Sequence, residues 1–296
     1  MSVDDRRLDP LTGAIVVIAG NRQHRPNLPN ESCPFCPGGL ESPAPYDVRW
    51  FPNRWPAMAD DRCEVLLYAP EHDASLPGLG AARVRKVVDL WADRSAAHGA
   101  RADVSYVLIF ENRGRDVGAT IDHPHGQLYS FADVPPVPLG EAAQPTASAA
   151  LSPSSADERE VASTPGWRAW VPVAPVFPIE LLLGPEAPVP DLPSLDERGR
   201  DGLAALLVDV LGRIDALCGQ AAPYMLVVHQ RPFDGRPWDL PLHLHLQSPW
   251  RAAGVLRYVA AGELGSGVYF NPVVPEELAA RLRAVQPALA GREEAR

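Results

Sequence analysis

Eight histidines occur in the 296-residue chain, at 24, 72, 98, 123, 125, 229, 243 and 245, and four of them form two H-x-H pairs. On a β-strand, residues i and i+2 project from the same face, so each pair aims two imidazoles into one space. Near neutral pH an imidazole serves as metal ligand, base or nucleophile, whereas an apolar core has little use for two side by side. A bare H-x-H is equally satisfied by two structural histidines bonded to carbonyls. The first pair sits in a more informative string, HPHGQ (123–127). Pro124 removes an amide donor and fixes φ, Gly126 allows close approach of a ligand or of backbone, and Gln127 returns a polar amide to the histidine face. The second pair lies in HLHLQ (243–247).

The four cysteines divide unevenly. Cys33 and Cys36 form C-x-x-C within CPFCPG, while Cys63 and Cys218 stand alone. In a reducing compartment a close thiol pair is a metal clip or redox centre rather than a structural disulfide. Cys63 falls in an apolar strand-like run and Cys218 at the end of a helical pattern, so both read as core residues.

The elements that must position these groups repeat. CEVLLYAPEHD (63–73), a helical segment at 80–98, YVLIFENRG (106–114) and HPHGQ appear in order. Roughly 115–120 residues later the order recurs as IELLLGPEAP (179–188), a helical segment at 195–217, YMLVVHQRP (224–232) and HLHLQ. Val84, Val87, Val88 and Leu90-Trp91 recur at helical spacing, as do Leu203, Leu206-Leu207, Val210-Leu211 and Ile214. The strands are β-branched and aromatic runs bounded by Pro and Gly. Two copies of a strand–helix–strand–strand unit predict an α+β protein made by duplication, with a mainly antiparallel sheet and flanking helices. The expected divisions are an N-terminal half over 1–133 and a C-terminal half over 164–296. Between them 134–163 is rich in Pro, Ala and Ser without apolar periodicity, and reads as a flexible connector.

Composition narrows the function. Hydrophobic residues make up 46% and charged residues 22%, as in a globular protein. The net charge of −10 argues against a nucleic-acid surface, which demands basic stripes. It leaves room for a small phosphorylated ligand held by a few local cations and amides. No apolar run approaches the roughly 20 residues that span a bilayer, and MSVDDRRLDP lacks the apolar stretch of a secretory signal. A cytoplasmic protein with neither nucleic-acid nor membrane partners is expected.

With HPHGQ and CPFCPG together, the sequence resembles the histidine-triad superfamily and, within it, the galactose-1-phosphate uridylyltransferases. The likeness also takes in RLDPLTGAIVVIAGNRQHRPN, FPNRWPA, IFENRG, PYMLVVHQRP, HLHLQ and YVAAGELGSGVYFNPVVPEELAARLR. Gln in the last motif position is the mark of the transferases, since hydrolases of the superfamily carry a third His there. The resemblance implies that the second motif histidine, His125, is the nucleophile, with Gln127 holding a phosphoryl oxygen. A neutral imidazole, with an unperturbed pKa of about 6.5, can attack phosphorus and split one hard substitution into two easier ones. The implied reaction is ping-pong: UDP-glucose yields UMP to His125, glucose 1-phosphate leaves, and galactose 1-phosphate takes the UMP as UDP-galactose.

Other positions follow from the same resemblance. Asn112, Gly118 and Thr120 in FENRGRDVGAT match residues that touch the nucleotide and its phosphates. Arg22, Arg25 and Asn53 match substrate-binding positions, some of which act across a homodimer interface in the family. Arg54 stands where some members carry an acid. Arg257, where Lys is usual, and Glu263 fall where the family contacts the sugar phosphate. Cys33, Cys36, His72 and His123 offer two thiolates and two imidazoles, a set suited to tetrahedral zinc. His72 has no counterpart in the second repeat, where Ala187 stands, and that half also lacks C-x-x-C. His229, His243 and His245 match positions that hold iron or zinc in some members, and Glu141 is the acid nearest the place of the fourth ligand.

Two other readings are consistent with these residues. One is a relative using the same histidine on another nucleotide, such as a phosphorylase or adenylyltransferase acting on nucleotide-sugars or dinucleoside polyphosphates. The other is a zinc-stabilised nucleotide-binding protein without catalysis, against which intact His125, Gly126 and Gln127 argue.

Overall fold

The computed structural model describes residues 5–20, 22, 33–59, 61–152 and 157–287. A hairpin of β1 (Asp5–Leu8) and β2 (Ile15–Ile18) comes first and forms a sheet of its own. The first half continues with β3 (Arg49–Pro52), β4 (Cys63–Leu67), α1 (Leu76–Leu79), α2 (Ala81–Gly99), β5 (Tyr106–Arg113) and β6 (His125–Phe131). Then come α3 (Pro136–Ala142), α4 (Ala147–Ala150), β7 (Glu160–Thr164), β8 (Trp167–Trp170) and β9 (Ile179–Pro185). The chain proceeds through α5 (Glu197–Cys218), β10 (Tyr224–His229), β11 (His243–Ser248), β12 (Trp250–Ala252), β13 (Val255–Leu256), α6 (Ala261–Ser266) and α7 (Pro275–Ala284).

Nine strands form one antiparallel sheet in the order β3-β4-β6-β5-β10-β11-β9-β8-β7. The expected α+β architecture with a duplicated unit is the observed one, and the copies meet edge to edge at β5 and β10. His125 pairs with Leu67 on β4, and its counterpart His245 pairs with Leu182 on β9. Phe110 pairs with Gln127, and Met225 with Gln247. Thus β6 maps onto β11, β4 onto β9 and β5 onto β10, and Glu111 maps onto Leu226. Those last two are direct partners across the central junction, so the pseudo-twofold axis passes between them. The register corrects one detail of the sequence repeat. YVLIFENRG and YMLVVHQRP align by their first tyrosines, but the strands superpose three residues away from that alignment, which leaves Gly114 as the counterpart of His229. The tyrosines misled because an odd offset puts them on opposite faces of the sheet: Tyr224 belongs to the helix-covered core with Val107 and Ile109, whereas Tyr106 is buried outside that cluster.

Alternation along the strands separates the faces. On β6, Gly126, Leu128 and Ser130 are buried beneath the helices, while His125 and Gln127 point to the other face. On β11, Leu244 and Leu246 are core residues, and His243, His245 and Gln247 share the opposite face. Helices α2 and α5 cover the core face through Val84, Val87, Val88, Trp91, Leu203, Leu207, Leu211 and Ile214, all completely buried. Asp196 caps α5 by accepting from the Gly199 amide at 2.7 Å, and Gly219 ends it at φ +68°, a conformation that favours glycine. No helix among the described residues is long and apolar enough to cross a membrane.

The Pro/Ala/Ser-rich stretch contains more structure than its composition announced: α3, α4 and all of β7 but its last residue, Thr164, lie in it. Pro136 starts α3 at a position where a missing amide costs nothing. Val134, Pro138 and Leu151 are anchoring points buried singly rather than as a stripe. Tertiary contacts, which periodicity does not register, hold this segment.

Candidate active site

His125 opens β6, and its Nδ1 lies 2.8 Å from the His123 carbonyl oxygen. That bond places a proton on Nδ1 and the lone pair on Nε2. The ring also meets Phe35 edge-on, with centroids 5.0 Å apart. Behind it, Gly126 lies so close to the Tyr68 hydroxyl that a Cβ would fall 1.9 Å from that oxygen. Glycine is therefore required for Tyr68 to occupy its buried place beneath the strand.

Two cavities meet at His125. One, of about 410 Å³, is lined by the aromatic rings of Phe35, Phe51 and Trp55 with Val65, and by Asn53, Arg54, Glu41, Thr120 and Gln127. It suits a flat heterocycle with a few polar edges. Asn53 caps its own turn through the Trp55 amide at 2.9 Å and comes within 3.5 Å of Gln127. The other, of about 380 Å³, has Asn112, Arg113, Arg115, Asp73, Glu111, Asp116 and Asp122 among its walls, closed on one side by Trp250. Trp250 is held there by its indole N–H, which donates to Asp116 at 2.8 Å. His125 and Ile121 belong to both cavities.

Cys33, Cys36, His72 and His123 converge, with ligand atoms all within 4.8 Å of one another. The Cys36 Sγ is 3.7 Å from His72 Nδ1 and 3.6 Å from His123 Nδ1. Sulfur and nitrogen ligands of a tetrahedral zinc sit roughly 3.6 Å apart, given bond lengths near 2.3 and 2.0 Å. Burial and the adjacent Cys33 thiol push Cys36 up to about 11, so two thiolates here require a cation between them. Burial also pushes His123 below the usual imidazole range, despite its bond to the Ala69 carbonyl. That bond, 2.8 Å from Nε2, turns Nδ1 toward the thiols, and the Tyr46 hydroxyl lies at 2.8 Å from the same nitrogen. The donor set fits a metal.

Glu141, His229, His243 and His245 form a second convergent group. The Glu141 carboxylate lies 2.8 Å from His229 Nδ1, 3.4 Å from His243 Nε2 and 3.2 Å from His245 Nε2. Burial raises the Glu141 pKa, but the three imidazoles outweigh it and hold the carboxyl well below its usual range. His243 donates from Nδ1 to the Pro241 carbonyl at 2.8 Å, which fixes Nε2 toward the group. His245 Nε2 is buried and faces the Glu141 carboxylate, as expected of a ligand atom aimed at a shared cation. These residues fit a metal too.

The remaining expected positions divide. Asn112 lines the polar cavity, and Asn53 and Thr120 the aromatic one. Gly118 ends the turn after β5 at φ +83°, its amide bonded to the Arg115 carbonyl, and lines neither cavity. Arg22 is half-buried and also outside both; Arg25 lies outside the described residues. Arg257 and Glu263 are buried against each other as an ion pair, and neither lines these cavities within one chain. Sequence reasoning did not single out Phe35, Trp55, Glu111, Tyr46 or Trp250. Glu111 alone carried a legible signal, an acid on the core-facing phase of a strand.

A family model described as the N-terminal domain of galactose-1-phosphate uridyl transferase matches residues 55–135. The galactose-1-phosphate uridylyltransferase of Thermotoga maritima is 33% identical over 311 residues, covering 95% of this chain and 98% of that one. The protein of the same name from Streptomyces lividans is also 33% identical, covering 96% and 88%. A solved uridylyltransferase structure superposes with a TM-score of 0.84 at 28% identity, over 94% of this chain and 97% of the other. An ADP-glucose phosphorylase from Arabidopsis thaliana, at 22% identity and a TM-score of 0.77 over 95% and 98%, shares the fold.

Proposed function

Because this chain belongs to the galactose-1-phosphate uridylyltransferase family, we propose that it exchanges UMP between UDP-glucose and galactose 1-phosphate through a uridylyl-histidine at His125. The observation that carries this reading is the orientation of His125, whose Nδ1 bond to the His123 carbonyl leaves Nε2 as the attacking atom where the two cavities join.

In the first step Nε2 bonds to the α-phosphorus of UDP-glucose, and the bond from phosphorus to the bridging oxygen breaks. Glucose 1-phosphate leaves with that electron pair. The second step is the reverse, with a phosphate oxygen of galactose 1-phosphate attacking and His125 leaving. Both leaving groups are weakly basic, so no general acid is required. Uracil and ribose take the aromatic cavity between Phe35, Phe51 and Trp55, beside Asn53, and the hexose takes the carboxylate-rich cavity. Gln127 and Thr120 donate to phosphoryl oxygens as charge shifts between them, and Asn112 and the Gly118 turn bear on the phosphates.

Cys33, Cys36, His72 and His123 would hold zinc, and Glu141, His229, His243 and His245 a second metal, iron or zinc. Bound zinc supplies rigidity rather than a reacting group. Cys33 and Cys36 flank Phe35, and His123 carries the carbonyl that orients His125. In this reading 1–133 is the half with zinc and nucleophile, 134–163 is the connector, and 164–296 is the second half.

The working unit is a homodimer. Tyr258, Leu264, Val268, Tyr269 and Phe270 expose 48–74% of their surface beside the Arg257–Glu263 pair. A second copy would cover them and bring this segment, with Arg22 and Arg25, to a neighbouring site. The reducing compartment that preserves such thiol ligands is the cytoplasm.

Isotope exchange tests the proposal. Labelled glucose 1-phosphate should enter UDP-glucose without galactose 1-phosphate, as a covalent intermediate requires. Exchange only with ADP-glucose would move the protein to another nucleotide, and no exchange with any nucleotide-sugar would leave a binding protein.

A further inference from the structure

One charged pair in the aromatic cavity has no part in the reaction described above. Glu41 is the only carboxylate lining that cavity among the described residues, and Arg54 lines it too. Arg54 Nη1 donates to Glu41 Oε1 at 3.5 Å, and the Glu41 side chain is 21% exposed against 55% for Arg54. The pair therefore stands at the mouth of the cavity and not in the core. The cavity itself is on the His125 face of the sheet. Phe51 pairs with Val65 and Val65 with Gln127, which puts the three on one face, and all three line it.

Backbone bonds fix where Glu41 stands. It follows the C-x-x-C pair in a closed turn, in which its own amide donates to the Pro34 carbonyl at 2.9 Å and the Gly38 amide to the Ser42 carbonyl at 2.8 Å. Gly39 is packed so tightly inside this turn that a Cβ would fall 2.7 Å from the carbonyl oxygens of Cys33 and Pro34. On the other wall, Arg54 follows Asn53, whose side chain reaches Gln127 at 3.5 Å. The carboxylate is thus tied beside the residue that reaches the phosphoryl end of the cavity. In a nucleotide, the group between phosphate and base is the ribose.

An acid in this place opposes a phosphorylated ligand, and a contact with Arg54 that is long and partly in water offsets little of that repulsion. A carboxylate accepts and never donates, so its use here is to receive donors. Phosphates offer none, uracil offers a single N–H, and the ribose offers two adjacent hydroxyls. Nucleotide sites elsewhere place an acid on the ribose for this reason.

We propose that Glu41 is a specificity-determining residue whose carboxylate accepts from the ribose hydroxyls of the bound nucleotide, so that the site selects ribonucleotides. The inference rests on the function proposed above and deepens it. A site built to bond a hydroxyl rejects the analogue lacking it, because its own polar group is then left unpaired.

Calorimetry with UMP, 2′-deoxy-UMP and 3′-deoxy-UMP on wild type, Glu41→Ala and Glu41→Gln tests it. In wild type at least one deoxy nucleotide should bind about 10- to 100-fold more weakly than UMP, the worth of a hydrogen bond to a charged group. In Glu41→Ala, UMP should fall to the level of that analogue, while the analogue itself changes little or tightens. Glu41→Gln keeps one acceptor oxygen and should retain part of the discrimination. Equal binding of all three nucleotides to wild type would overturn the inference. So would an equal loss of all three in the variants, which would assign Glu41 to the base or to its own turn. Uridylylation of His125 by UDP-glucose is measured on the same wild-type protein. Its presence without ribose discrimination sinks the Glu41 role alone, and its absence sinks the underlying reading.

Discussion

The Nδ1 proton of His125 is accepted by the carbonyl oxygen of His123 at 2.8 Å, and the ring of that same His123 turns its own Nδ1 toward Cys36. His123, just ahead of β6, and His125 at its start thereby link the metal-binding group to the nucleophile. Any motion of the His123 backbone is passed to the orientation of the attacking nitrogen, so a group about one strand-step away governs chemistry it does not touch.

Replacing Cys36 by Ser tests that linkage. The variant should lose one equivalent of zinc and about 10²-fold in kcat, since a misplacement of about 1 Å costs that much. UMP affinity, read by calorimetry, should fall far less. Full activity in a zinc-free variant would show that His125 is oriented without the metal.

The second group should behave differently. Glu141→Ala removes the carboxylate that three imidazoles share, so metal content should fall from two equivalents toward one. His245 stands where the first half has His125, but it is occupied with Glu141, and Glu180 takes the register place that Val65 has in the aromatic cavity. The expected outcome is lower thermal stability with kcat within a few-fold of wild type; loss of all activity would assign this group to the chemistry.

Gly126→Ala introduces a Cβ 1.9 Å from the Tyr68 hydroxyl. Overpacking of this kind costs typically 1–3 kcal/mol, and here it also displaces His125. The thermal midpoint and kcat should both fall, and adding Tyr68→Phe should restore part of the stability. An undisturbed Gly126→Ala protein would mean that strand β6 sits farther from Tyr68.

Glu111 predicts a pH signature. Burial raises its carboxyl from the usual 4.5 to about 7 in the folded chain, so the native state holds the proton more tightly than the unfolded one. Its contribution to stability is complete below pH 4.5 and is lost as pH rises through 7, on the order of 3 kcal/mol in all. Urea unfolding of wild type and Glu111→Gln at pH 5 and 7.5 isolates it. Wild type should weaken relative to the variant as pH rises, and a constant difference would show that the carboxyl is not buried as described.

Much of this architecture was legible beforehand, for identifiable reasons. The H-x-H pairs, C-x-x-C and the two amphipathic helices are local patterns, and local patterns survive in a sequence. Glu141 was found by its distance from HPHGQ, although its helix has no apolar stripe to announce it. The opposite faces taken by Tyr106 and Tyr224, the aromatic wall of Phe35, Phe51 and Trp55, and the closure of the polar cavity by Trp250 were not legible. Each depends on which residues from distant segments arrive together. Arg257 and Glu263 show the converse: their positions were noticed, but pairing with each other takes them out of both cavities of a single chain.

The central claim is a covalent bond between phosphorus and His125 Nε2. Brief incubation with UDP-glucose labelled at the α-phosphate, followed by alkaline quench and peptide mass spectrometry, reads it directly. The account predicts one uridylyl group per chain, on the peptide containing HPHGQ, absent from His125→Gly and discharged by galactose 1-phosphate. Label on any other residue, or turnover that persists in His125→Gly, would contradict it.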